Sequence, residues 1–129
     1  MSLEMYSEMI LDHFKNPRNF GKIDNADASA RDLNPACGDV VEMFLRIECG
    51  KIKEVKFDGQ GCAISQASAS LLTEKVQGLE VEEAAKIPNG KASEIIGVQL
   101  SPVRLKCALL PLKVLKLAVV SYLSNLDAK

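Results

Sequence analysis

The stretch Val40-Val41-Glu42-Met43-Phe44-Leu45-Arg46-Ile47-Glu48-Cys49-Gly50-Lys51-Ile52-Lys53-Glu54-Val55-Lys56-Phe57 decides the fold. Val41, Met43, Leu45 and Ile47 alternate with Glu42, Arg46 and Glu48, the period of a strand with one buried face; Phe44 interrupts the polar side. After Cys49-Gly50, Ile52 to Phe57 reads as a second strand, so the pair predicts a hairpin closed by a short turn. The sheet is therefore expected to be antiparallel, with one face turned to a core.

Working outward, Ala28 to Asn34 is a weaker third strand. Met5 to Lys15 reads as a short amphipathic helix with Tyr6, Met9, Ile10 and Phe14 at helical spacing, stopped by Asn16-Pro17. The polar, turn-rich segment from Asn19 to Asp27 suggests that this helix is only loosely attached. Downstream the period changes. Ala63 to Gln77 carries Ile64, Ala67, Leu71 and Leu72 on one side, with Gly78 in the helix-stop position. Val81 to Lys86 is a short helix closed by Pro88-Asn89-Gly90, and Ser93 to Ile96 is a further turn. Cys107 begins a long closing helix with Pro111 in its first turn and Leu110, Val114, Leu117, Ala118 and Tyr122 as its buried stripe. The expected fold is α+β: a small antiparallel sheet of about three strands with helices on one face. Residues 1–129 are expected to form a single domain.

Composition bounds the function. The chain has 129 residues, 47% apolar and 26% charged, with a net charge of −1. So balanced a charge, with no Trp and 5% aromatics, speaks against nucleic-acid and membrane-surface partners. Ala108 to Leu123 is the most apolar stretch, but Pro111, Lys113 and Lys116 interrupt it, and it reads as too short and too charged to span a bilayer. Met1-Ser2-Leu3-Glu4-Met5 lacks the pattern of a secretory signal. The four cysteines are therefore read as reduced thiols of a cytoplasmic protein, suited to metal or sulfur chemistry. Ser/His/acid and phosphate-loop patterns are absent, so no enzyme of those kinds competes.

Three cysteines sit at junctions: Cys37 in Asn34-Pro35-Ala36-Cys37-Gly38-Asp39, Cys62 in Gly59-Gln60-Gly61-Cys62-Ala63, and Cys107 in Ser101-Pro102-Val103-Arg104-Leu105-Lys106-Cys107. Cys62 and Cys107 are both expected at helix starts, where the macrodipole and unpaired N–H groups favour the thiolate. Gly38, Gly59 and Gly61 allow tight turns and close approach. Three thiolates with the Asp39 carboxylate would make a tetrahedral site for Zn²⁺ or iron, its hard oxygen ligand leaving it exchangeable. The spacing alone leaves a plainer reading open, in which the cysteines are small core hydrophobes. Cys49 continues the apolar phase of its strand and is read as structural. His13 is expected to be a surface or packing residue rather than a ligand. Lys106 is either a solvated lysine or a stabiliser of the adjacent Cys107 thiolate.

Tyr6-Ser7-Glu8 and Leu11-Asp12-His13-Phe14-Lys15-Asn16-Pro17-Arg18-Asn19, together with the three cysteine motifs in the same order, resemble the U-type iron–sulfur scaffold family (IscU, SufU and the NifU amino-terminal domain). The resemblance runs from about Tyr6 to Tyr122. It implies an assembly protein that accepts persulfide sulfur from a pyridoxal-phosphate cysteine desulfurase, takes up iron, builds a [2Fe–2S] cluster and passes it to acceptor proteins, often with chaperone help. By matching position it implies Cys37, Cys62 and Cys107 as ligands, Cys37 or Cys107 as persulfide acceptor, and Asp39 as the labile fourth ligand. It also implies that His13, Asn16, Pro17 and Arg18 belong to a desulfurase-facing surface.

Lys106 resembles the SufU branch, where the IscU branch has histidine, whereas the compact spacing of Cys62 and Cys107 resembles IscU. Three functions follow. The first is a cluster-assembly scaffold with Zn²⁺ as a resting occupant. The second is a zinc-dependent sulfur-transfer protein that activates a desulfurase. The third is a structural zinc domain, opposed by glycine-flanked cysteines and a weak oxygen ligand.

Overall fold

The computed structural model describes residues 7–35, 38–97 and 99–127. Its elements follow in the order α1 (Glu8–Lys15), β1 (Ala28–Asn34), β2 (Asp39–Glu48), β3 (Lys51–Gln60), α2 (Ala63–Val76), α3 (Val81–Ala85), α4 (Lys91–Ile96) and α5 (Pro102–Asp127). The strands form one antiparallel sheet in the order β1-β2-β3. The α+β expectation holds, with the three strands in the expected places.

Alternation along β2 buries Val41, Met43, Leu45 and Ile47. On β3, Ile52 and Val55 both face inward although three positions apart. A shift in register between Arg46 and Ile47 pairs Ile47 with Ile52 and Leu45 with Val55, so Lys53 is the extra residue of a bulge. Cys49 and Gly50, with φ of 54° and 75°, make the tight turn. Cys49 is thus exposed at the tip rather than buried. The strand ends one residue before its apolar phase would have taken Cys49 inside.

α2 lies at the centre. Every residue from Ile64 to Thr73 is buried, where one apolar side was expected. Small side chains let neighbouring elements approach from all directions, and the buried hydroxyls are satisfied. Ser68 donates to the Ala108 carbonyl (3.1 Å), Thr73 to the Ser70 carbonyl (2.7 Å), and Ser70 accepts from the Arg18 N–H (2.9 Å).

α1 is held more firmly than its flanking sequence suggested. Ser7 caps it by accepting from the Ile10 N–H. Ile10 is fully buried, and His13 Nδ1 lies 2.7 Å from Ser70 Oγ. Met9 and Phe14, expected on the inner stripe, are instead half exposed. The 19–27 segment is tied to the sheet by Gly21 N–H to Phe57 O and Phe57 N–H to Asn19 O. The expected loose attachment is thus replaced by a packed one.

α5 starts at Pro102, not at Cys107. Ser101 Oγ accepts from the Arg104 N–H, and Pro102 takes the first helical position, where its missing N–H is no loss. Pro111 therefore sits in the helix interior, not in its first turn. Leu117 of the expected stripe is exposed, and Ala108, Leu112, Leu115 and Val119 are buried in addition. By length and composition α5 could cross a membrane, contrary to the sequence expectation. Half of its most apolar window is nevertheless packed inside the protein, as in the core helix of a soluble fold.

Candidate metal centre

Asp39 opens β2 in the same inward phase as Val41 and is fully buried. A carboxylate in that place needs partners or a cation. Its Oδ1 has two donors, the Cys62 N–H at 2.9 Å and the Ser65 hydroxyl at 3.1 Å. Its Oδ2 is buried and, among the described residues, has no hydrogen-bond partner.

Cys62 is the N-cap of α2, as its glycine-rich approach suggested, and its Sγ accepts from the Ser65 N–H at 3.5 Å. The helix terminus favours negative charge on that sulfur. Cys107 does not occupy the helix start expected for it: it lies in the second turn of α5, fully buried, with its Sγ 3.7 Å from the Val103 carbonyl. The macrodipole argument therefore applies to Cys62 alone.

Three elements thus converge. The ligand atoms of Asp39, Cys62 and Cys107 all lie within 4.8 Å of one another. Two sulfurs and one oxygen at that separation can hold Zn²⁺ or iron, and the unpartnered Oδ2 is a ready donor. Cys37 lies outside the described residues. Cys49, at the tip of the β2–β3 turn, is not among these three residues.

Lys106 is exposed while Cys107 is buried, because adjacent helical residues point in different directions. Lys106 lines a groove of about 490 Å³ together with Leu33, Pro35, Leu109, Lys113 and Leu117. His13 is a packing residue, as expected: beyond Ser70 it faces Glu74 at 3.7 Å. Burial, and then the Arg18 charge, hold it below the ordinary imidazole range, while Glu74 and Asp12 pull the other way. Arg18 pairs with Asp12 at 2.6 Å on the surface.

Ser65 was missed by sequence reasoning, because it is one of several small hydroxyl residues in the same helical run. Gly61 was legible as a place of close approach. A Cβ there would overlap Asp39 Oδ1 and lie 2.8 Å from Ser65 Oγ.

The NifU-like N terminal domain family model matches residues 5–128. The chain belongs to that family. It is 38% identical over 118 residues to iron-sulfur cluster assembly scaffold protein IscU 1 of Archaeoglobus fulgidus, covering 92% of this chain and 76% of that one. It is also 38% identical over 128 residues to IscU of Escherichia coli, covering 96% and 98%. Among solved structures it resembles a protein assigned to iron-sulfur cluster assembly in the SUF system of Fervidobacterium islandicum AW-1. That match has a TM-score of 0.82 and 34% identity, covering 92% of this chain and 99% of the other. Similarity to both IscU and SufU members accords with the mixed features at Lys106 and in the cysteine spacing.

Proposed function

We propose that this protein is an iron–sulfur cluster assembly scaffold, with Asp39, Cys62 and Cys107 joined by Cys37 as its ligand set. The observation that carries the reading is the meeting of two sulfurs and one carboxylate within 4.8 Å, with a buried carboxylate oxygen that has no hydrogen-bond donor among the described residues. Its resemblance to named scaffold proteins over almost its whole length supports the same reading.

In this reading sulfur and iron are cargo. The acceptor thiolate attacks the outer sulfur of a desulfurase cysteine persulfide; a new S–S bond forms, and the desulfurase thiolate leaves. The full burial of Cys107 favours Cys37 as that acceptor, since attack on a partner's persulfide requires access. Cys62 at its helix terminus is suited to remain a thiolate and bind metal. Asp39 supplies the hard oxygen that keeps the completed cluster releasable to an acceptor protein. The reduced thiols this chemistry requires fit a reducing compartment such as the cytoplasm.

Lys106 supports a second reading, in which bound Zn²⁺ presents a cysteine to the desulfurase and sulfur moves onward without a cluster. Lys106 is exposed, lines the groove and directly precedes Cys107 in the chain. A purely structural zinc role fits poorly, because an apolar core of many residues besides Cys62 and Cys107 spans the sheet, α2 and α5.

The test is anaerobic mixing with ferrous iron, cysteine, a cysteine desulfurase and an apo-ferredoxin, followed by absorbance. Cluster bands that appear on this protein and then move to the ferredoxin are expected. Zinc retention with faster desulfurase turnover, persulfide on Cys37 and no cluster would select the sulfur-transfer reading instead.

A further inference from the structure

We propose that Ser65 is the positioning residue of this centre, fixing which oxygen of Asp39 faces the metal; the inference rests on the metal-site reading above. Ser65 is fully buried and touches two of the ligands. Its N–H points to Cys62 Sγ at 3.5 Å, and its hydroxyl lies 3.1 Å from both Asp39 Oδ1 and the Cys62 carbonyl. A hydroxyl has one proton to give. The Cys62 carbonyl already accepts from the Gln66 N–H at 3.2 Å, and a carboxylate is the stronger acceptor. The proton therefore goes to Asp39 Oδ1.

That oxygen also receives the Cys62 N–H. With two donors engaged, Oδ1 is a poor metal ligand and Oδ2 is left as the single coordinating oxygen. The space beside Oδ1 is tight, since a Cβ added at Gly61 would overlap that oxygen. Ser65 thus makes Asp39 a one-oxygen ligand of fixed direction. Outer partners of this kind typically change metal affinity by about 10–100-fold when removed.

The test measures Zn²⁺ affinity by chelator competition and the visible spectrum of the Co²⁺-substituted protein. Wild type is compared with four variants: Ser65→Ala, Ser65→Thr, Asp39→Ala and the Ser65→Ala/Asp39→Ala double mutant. Ser65→Ala is expected to weaken Zn²⁺ binding by about tenfold or more and to alter the Co²⁺ ligand-field bands. The melting of the metal-free protein should stay near wild type. In the Asp39→Ala background the same substitution is expected to cost nothing further, since its route to the metal is gone. Ser65→Thr, which keeps the hydroxyl, should restore affinity and spectrum.

Wild-type binding and spectrum in Ser65→Ala would overturn the proposal. So would an equal loss in both backgrounds, the mark of a general packing role. If wild type itself binds neither Zn²⁺ nor Co²⁺, the metal-site reading falls and this inference falls with it.

Discussion

A side chain on Gly61 would have to enter the space shared by Asp39 Oδ1 and Ser65 Oγ, and its φ of 154° is one that other residues rarely adopt. Gly61→Ala is therefore expected to push the Asp39 carboxylate aside and weaken zinc binding by at least about tenfold, the scale of lost outer support. Competition with a chromophoric chelator checks it; unchanged affinity would show that the carboxylate does not need its present place. The cysteines divide in the same way. Cys62→Ser and Cys107→Ser should each lose zinc, whereas Cys49→Ser, altering an exposed turn on a different part of the sheet, should retain it. Equal retention in all three would remove the centre as assigned. At this scale Asp39 and Cys62 were legible because each follows a glycine, whereas Cys107 was picked out for a helix start that lies upstream at Pro102. Ser65 was hidden inside a helical run of small residues, where nothing in the sequence separates a hydroxyl facing the centre from those facing Ala108 or Arg18.

Among the elements, α1 carries a titration of its own. His13 is held below its ordinary range by burial and by Arg18. As pH falls through about 6.5 the unfolded chain takes up that proton first. Stability is thus fully present above that pH and is lost below it, toward the lower folded-state value. Urea midpoints measured between pH 7.5 and 5.5 should decline, and His13→Asn should flatten the decline; a slope unaffected by the substitution would place its origin elsewhere. The strands were readable because period-2 alternation is a strong local signal over Val41–Ile47. The start of α5 was not, since a proline read as a first-turn residue at Pro111 concealed the true N-terminus at Ser101-Pro102. Cys49 misled for a related reason: a repeating pattern does not say where the chain turns, and the Cys49-Gly50 turn ends the strand before the phase is completed.

For the molecule as a whole, the core is larger than the centre beside it. Phe57, Met43, Leu45, Ile64 and Leu115 are fully buried across both layers. Removing metal with a chelator should therefore lower the melting temperature without unfolding the protein, and the size of the drop should follow metal concentration and affinity. Loss of far- and near-ultraviolet circular dichroism on chelation would show that the metal nucleates the fold. Phe57→Ala, by contrast, should cost about 3–5 kcal/mol in denaturant unfolding whatever the metal content. The centre joins β2, α2 and α5, which only the complete tertiary fold brings together, so its geometry could be suspected from the chain but not seen in it.

The two sides of the sheet are finished differently. Beyond β3, Phe20 bridges to Phe57 and Glu80 to Lys51, so other parts of the chain occupy much of that border. Among the described residues no such bridge lies beyond β1, where Arg31 is exposed and Asp32 pairs with Lys113 at 2.8 Å. A strand of another copy that came alongside would bring like charges together in an antiparallel match and disturb that ion pair. Such edge charges are a known guard against runaway stacking of sheets. β1 is thus the margin at which the sheet resists being extended by another copy of itself.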